Sequence, residues 1–104
     1  MTATLAEEFA RGRMFFELND YIGAARILAP VVAAEPGNVE ARLLLARAYY
    51  HSAQLRGAEA ELRAVIERAP TEEYAHLLLG RTLQRANRHA EAETYLRLHA
   101  AMTG

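Results

Sequence analysis

With 104 residues, a formal net charge of -1 and a pI near 6.4, the chain has no global basic field of the kind that drives nonspecific binding to nucleic acid. Cysteine is absent, which excludes disulfides and thiol chemistry, and no run of about 18 apolar residues is present to span a membrane. The hydrophobic share is 52 %, much of it alanine, which favours helices that pack closely over a large aliphatic core.

The N-terminal segment shows no basic stretch followed by an apolar run, so no secretory signal is expected and a cytoplasmic location is the expectation. Apolar residues recurring three and four apart predict a first helix over about 5–18, opened by a Thr4–Glu7 capping box and closed by Asn19, which suits the left-handed position after a helix. A second helix follows Asp20 over about 21–34. Pro30 lies inside it and removes a hydrogen bond to Arg26, a loss of about 3 kcal/mol in an ideal helix interior, so a bend is expected. Pro36 forbids continuation, and Asn38 can cap a third helix over about 39–52. The fourth runs over about 55–69 and stops before Pro70. Thr71 then precedes Glu72 and Glu73, whose charges suit the start of a fifth helix over about 73–86. Asn87 ends it, and a sixth covers about 89–101. Connections of two to four residues force antiparallel neighbours, giving three hairpins over about 5–38, 39–72 and 73–104 in a single domain spanning 1–104.

These hairpins are copies of one another. Pro36 and Pro70 stand 34 residues apart, and the same interval relates Ala24, Ala58 and Ala92, then Leu28, Leu62 and Leu96, then Gly12, Ala46 and Gly80. A fixed period of this size means stacked helical hairpins that gain their core from one another. Gly12, Ala46 and Gly80 are expected to face Ala24, Ala58 and Ala92 at the closest approach within each hairpin. Phe15, Tyr49 and Leu83, with the three leucines, fill the space around that contact.

The chain resembles the tetratricopeptide repeat family from Leu5 to Met102, through Gly12, Tyr21, Ala24, Leu28 and Pro36, then Leu45, Ala46, Tyr49, Ala58, Leu62 and Pro70, then Leu79, Gly80, Ala92 and Leu96. The family's usual tryptophan is replaced by Glu8, Arg42 and His76, and Arg11 stands where the later repeats have Leu45 and Leu79, as a wet outer face on the first hairpin requires. The resemblance implies an all-α fold, a right-handed superhelical array of three antiparallel hairpins and six helices. It also implies protein or peptide recognition on the concave face made by the first helix of each pair, with no catalysis.

If the first helices line that face, residues spaced i, i+4, i+7 form a stripe directed at the ligand. The stripes are Phe9, Arg13 and Phe16, then Leu43, Arg47 and Tyr50, then Leu77, Arg81 and Gln84. Stacking turns them into an apolar column, a column of three arginines and a mostly aromatic column. All 12 basic residues are arginine, so arginine at any one place first reads as coding bias and a solvated helix face. Pairing argues otherwise. Arg13 has Glu17 four residues on, worth about 0.2–0.5 kcal/mol, but Arg47 has no acid at three or four residues in either direction. Arg81 and Arg85 repel each other, with Arg88 and His89 just beyond and no acid among them. The third repeat is therefore the expected grip for a carboxylate or phosphate, where each charge-assisted hydrogen bond contributes about 1.5–3 kcal/mol. Relatives in the family hold a peptide's C-terminal carboxylate with basic side chains, a part the resemblance assigns to Arg13, Arg47, Arg81 and Arg85. Tyr74 and His51 lie on the groove margin, and Glu40 would either repel an acidic ligand or tether Arg13 or Arg47.

No catalytic site is expected, since Ser52 is the only serine and no nucleophile motif exists. Neither a metal nor another cofactor is expected, because His51, His76, His89 and His99 include no pair three or four residues apart on a helix. Arginine interleaved with Phe16 and Tyr50 lends slight support to nucleic-acid binding, against which the negative net charge stands. Two functions remain. One is a protein-interaction module that takes an acidic or C-terminal peptide segment in the arginine-lined groove. The other is a structural unit that self-assembles as a homodimer through its last hairpin by Tyr95, Leu98 and Met102.

Overall fold

The computed structural model describes residues 2–104, which form six α-helices: α1 Leu5–Glu17, α2 Tyr21–Ala34, α3 Val39–His51, α4 Leu55–Arg68, α5 Glu73–Arg85 and α6 His89–Thr103. The caps set these limits. Thr4 accepts the Glu7 N–H while the Glu7 carboxylate accepts the Thr4 N–H, at 3.1 and 2.9 Å. Asp20 accepts from Gly23 N–H at 2.8 Å and Asn38 from Ala41 N–H at 3.0 Å. Helices α4, α5 and α6 have no side-chain cap, their cap positions being Gln54, Glu72 and Arg88; at α5 Thr71 lies outside the cap.

The turn inside each hairpin is the same three times over. Asn19, Ala53 and Asn87 adopt φ of 64, 61 and 63°, and the next residue's N–H reaches back to Phe15, Tyr49 and Leu83 carbonyls at 2.9, 2.8 and 2.8 Å. That geometry satisfies the last carbonyls of α1, α3 and α5 and reverses the chain. Asparagine tolerates it, whereas Ala53 does so at a cost. Between hairpins the fastening is different. The Pro36 carbonyl accepts from Arg42 Nη2 at 2.9 Å, and the Pro70 carbonyl accepts from His76 Nε2 at 2.8 Å. Arg42 and His76 occupy equivalent places one period apart, so two unlike side chains perform one task. A carbonyl only accepts, so His76 carries its proton on Nε2, leaving a buried Nδ1 without a partner. Helix α2 runs unbroken through Pro30, and Pro30 and Arg26 are both exposed, which puts the missing hydrogen bond on the solvent side.

Inside the hairpins Gly80 does face Ala92, whose carbonyl oxygen would lie 3.4 Å from an added Cβ, but the tightest contacts are glycine against leucine. A Cβ added at Gly12 would stand 2.6 Å from Leu28 Cδ2, and one at Gly80 would stand 2.5 Å from Leu96 Cδ2, so the glycines make room for leucines across the pair. Gly57 does the same for Tyr49, whose ring would lie 2.9 Å away, and Gly23 for Phe15 at 2.8 Å. The third hairpin has the smaller Leu83 and needs no glycine there; Glu91 takes the place.

Leu28, Leu45, Leu62, Leu79 and Leu83 are fully buried. They fall in two clusters, one between the first and second hairpins and one reaching from the second into the third, so the core belongs to the stacking as much as to each pair. The backbones of α1 and α3 come close, as do those of α3 and α5, whereas the backbones of α2 and α4, and of α4 and α6, stay apart among the described residues and only side chains bridge α4 to α6. The array therefore curves toward α1, α3 and α5, as an all-α solenoid of 48 × 24 × 20 Å. Among the described residues no helix is long and apolar enough to cross a membrane.

Candidate ligand groove on the first helices

At the centre of the curved side, Arg47 on α3 holds its guanidinium 4.6 Å from the Phe16 ring of α1 and 5.8 Å from the Tyr74 ring of α5. Aromatic rings attract a cation through their negative faces, by about 0.5–1 kcal/mol each where exposed and more where water is excluded. Arg47 makes no hydrogen bond or ion pair among the described residues, and its Nε is buried and unpartnered. Three helices thus supply the walls, and the charge on the floor stays uncompensated.

Arg85 sits over the Tyr50 ring at 4.7 Å and donates through Nη1 to the Tyr50 carbonyl at 2.9 Å, which orients it toward α3. Beside it, the His51 ring stacks on Tyr21 at 4.7 Å and meets the Phe16 and Tyr50 rings edge-on at 5.8 and 5.6 Å. Partial burial, then Arg47 and Arg85, hold the His51 imidazole below its ordinary pKa. Arg81 is exposed with no ion pair or hydrogen bond among the described residues, and Gln84 is exposed beside it. Leu43 and Leu77 are half-buried along the neighbouring stripe.

Arg13 differs from its two counterparts. Its guanidinium lies 5.0 Å from the Phe9 ring, and it is tied to Glu40 of α3 at 2.6 Å rather than to Glu17. The expected pair along α1 gives way to one across α1 and α3, because those helices are adjacent and Glu40 lies within reach. Another expectation also fails. Arg88 is not free of acids: it donates to Glu91 at 2.7 and 2.9 Å and to Glu59 of α4 at 2.6 Å. Glu59 also accepts from Arg63 at 2.9 Å, and these hydrogen bonds, from Arg88 first, hold its carboxyl below the usual range against the effect of burial.

At the last hairpin, Tyr95 is half-buried, accepts a hydrogen bond from Arg63 at 2.8 Å and stacks on His76, so its hydroxyl is spent within the chain. Leu98 is 44 % exposed and Met102 half-buried, while larger apolar exposure lies on the first hairpin at Met14 (51 %), Ile22 (54 %) and Leu18 (71 %).

Tyr74 was expected at the groove margin and Tyr21 was not, but the contacts both make escape a reading confined to single helices. Tyr74 as a wall for Arg47, and Tyr21 as the base on which His51 stacks, each join residues at least 27 positions apart, and only the stacking of hairpins brings them together. The repeat interval held the clue, since Tyr74 is aligned with Glu40, the residue that engages Arg13.

The family model for the tetratricopeptide repeat matches residues 15–80. Among solved structures, MamA from AMB-1 superposes with a TM-score of 0.92 at 19 % identity over 96 % of this chain and 59 % of its own. MamA from Desulfovibrio magneticus RS-1 does so with a TM-score of 0.89 at 24 % identity over 95 % of this chain and 56 % of its own. A chain of the CopN–Scc3 complex gives 0.89 at 18 % identity, over 94 % of this chain and 58 % of its own. This chain therefore spans less than two thirds of the length of these structures, and the likeness is one of fold. No curated protein matches it in sequence.

Proposed function

Because the chain belongs to the tetratricopeptide repeat family, we propose that it is a non-enzymatic protein-interaction module whose groove binds an acidic or C-terminal peptide segment. The observation that carries this reading is Arg47, held between Phe16 and Tyr74 with no carboxylate to neutralise it. A helix serving only its own stability would place glutamate within reach, as the outer helices do for Arg63 and Arg88. Arg81 and Arg85 extend the uncompensated charge along α5, and Leu43, Leu77 and Tyr50 offer apolar surface beside it. A carboxylate or phosphate meeting these forks forms charge-assisted hydrogen bonds of about 1.5–3 kcal/mol each. Glu40 screens Arg13, so the grip is concentrated on α3 and α5.

The test is capture of a peptide ending in acidic residues by the wild type and by the double variant Arg81→Glu with Arg85→Glu. Capture should be lost while helicity by circular dichroism is kept, and should weaken with salt in the wild type, since exposed charges are screened over about 8–10 Å near physiological ionic strength. Undiminished capture by the double variant removes α5 from the mechanism.

A second reading, association of two copies, draws on the exposed Leu98. Sedimentation at twice the mass of 11.6 kDa, reduced to one copy by Leu98→Glu, supports it; a monomer at high concentration ends it.

A further inference from the structure

The imidazole of His51 occupies an unusual electrostatic position within the proposed groove, and a role for it in regulating that same site rests on the acidic-ligand reading. His51 is the last residue of α3, where Glu17 ends α1 and Arg85 ends α5. Its ring is fixed from three sides, by Tyr21 of α2, Phe16 of α1 and Tyr50 of its own helix, and Phe16 and Tyr21 are themselves in edge contact at 5.1 Å. The charged groups acting on it are Arg47, one turn back on α3, and Arg85 from α5. From α2 and α1 it meets neutral rings, and Glu17 makes no ion pair with it among the described residues. The outer edge of the ring remains exposed. A titratable side chain thus packs on the same rings that hold two guanidiniums, Phe16 under Arg47 and Tyr50 under Arg85, and no carboxylate neutralises either.

We infer that an anionic group seated between Arg47 and Arg85 brings a proton with it, taken up by the His51 imidazole, so that the groove holds acidic ligands more tightly as pH falls. The anion cancels the repulsion that keeps the ring neutral and adds an acceptor for its N–H. Arginine stays charged throughout this range, so the imidazole alone changes state. In the free protein burial and then the two arginines hold its pKa below 6.5. A bound anion raises it, so the gain in affinity is complete below the free-state value and disappears as pH rises through the bound-state value. Each unit of separation between the two values changes affinity about tenfold.

Sulfate, which does not titrate in this range, serves as the probe. Amide shifts of residues 47–51 and 85 are followed through a sulfate titration against chloride at matched ionic strength, at pH 7.5 and 5.5. Wild type is compared with His51→Gln, with helicity checked at both pH values. Affinity of the wild type should rise about tenfold toward the lower pH, and His51→Gln should bind with one affinity at both. Binding that is independent of pH in the wild type, or a pH dependence that survives in His51→Gln, overturns proton uptake while leaving the acidic-ligand reading intact. No saturable binding at either pH, with an acidic-tailed peptide in place of sulfate giving none as well, removes that reading and this inference together.

Discussion

On the outer helices Arg63 and Arg88 share Glu59 and Glu91, at 2.6–2.9 Å for the shortest contacts, whereas on the inner helices Arg47, Arg81 and Arg85 meet no carboxylate among the described residues. Both groups use the same side chain, and both are drawn from the second and third hairpins. Arginine is the only basic residue the chain uses, which does not explain why Glu59 and Glu91 gather around Arg63 and Arg88 while no carboxylate meets Arg47, Arg81 or Arg85. On the outside, arginine fastens α4 to the start of α6. On the inside it is positioned by aromatic rings, which orient a guanidinium without cancelling its charge. Arg26, Arg56 and Arg68 of the outer helices also meet no carboxylate among the described residues, so a missing ion pair marks an arginine left for a partner only where aromatic rings hold it in place, as at Arg47 and Arg85.

Removing one arginine of each kind puts this difference at greatest risk. Arg47→Ala should weaken binding of an acidic peptide by roughly 10- to 100-fold, the equivalent of one charge-assisted hydrogen bond, and lower the melting temperature little. Arg63→Ala should do the reverse, lowering thermal stability with affinity unchanged. Calorimetric titration and a melting curve on each variant decide it. Affinity lost equally in both variants would mean that the groove's charge is no more functional than the outer network's.

The next effect comes from the contacts that hold the helices at ladder spacing. Gly12→Val places side-chain atoms where Leu28 Cδ2 would be 2.6 Å from the Cβ alone, and Leu28 is fully buried with nowhere to move. Destabilisation of about 1–3 kcal/mol is expected by denaturant titration. Gly80→Val should cost less, because its neighbour Leu96 is only half-buried. Equal costs would show that the end hairpin is packed as tightly as the first.

The smallest effect refines the contrast through acid. Hydrogen bonds from Arg88 lower the carboxyl pKa of both Glu59 and Glu91 below the reference value of 4.5. Their contribution is present above that value and is lost as pH falls through the lower folded-state values. Burial raises Glu61, which works in the opposite sense, so the net loss is modest. Melting temperature should fall on going below pH 4.5, and fall less in Glu59→Gln; the same fall in both would place the sensitivity elsewhere.

Much of the fold was readable because its signals are local. Prolines, cap residues and the left-handed Asn19 and Asn87 each act within a few positions, and the helix limits follow them closely. Ala53 was not legible as the third left-handed residue, since alanine carries no sequence signal for φ above zero; only its place at the interval of Asn19 and Asn87 marks it. The glycines were correctly read as close contacts, and Gly80 does lie against Ala92, yet the nearest atoms at Gly12 and Gly80 belong to Leu28 and Leu96, whose large side chains fill the room a glycine leaves. That the stripe residues align along α1, α3 and α5 follows from helical spacing. Their ties do not: Arg13 to Glu40, Arg88 to Glu59 and Arg47 to Tyr74 all cross between helices, and charge pairing within one helix cannot foresee them.

The sharpest single measurement is a chemical-shift map of the whole chain on titration with a peptide that ends in acidic residues. Saturable shifts should cluster at Arg47, Tyr50, His51, Tyr74, Arg81 and Arg85 and leave Arg63 and Arg88 untouched. Shifts centred on the outer arginines, or on no contiguous surface, would contradict the assignment of the inner face to an acidic ligand.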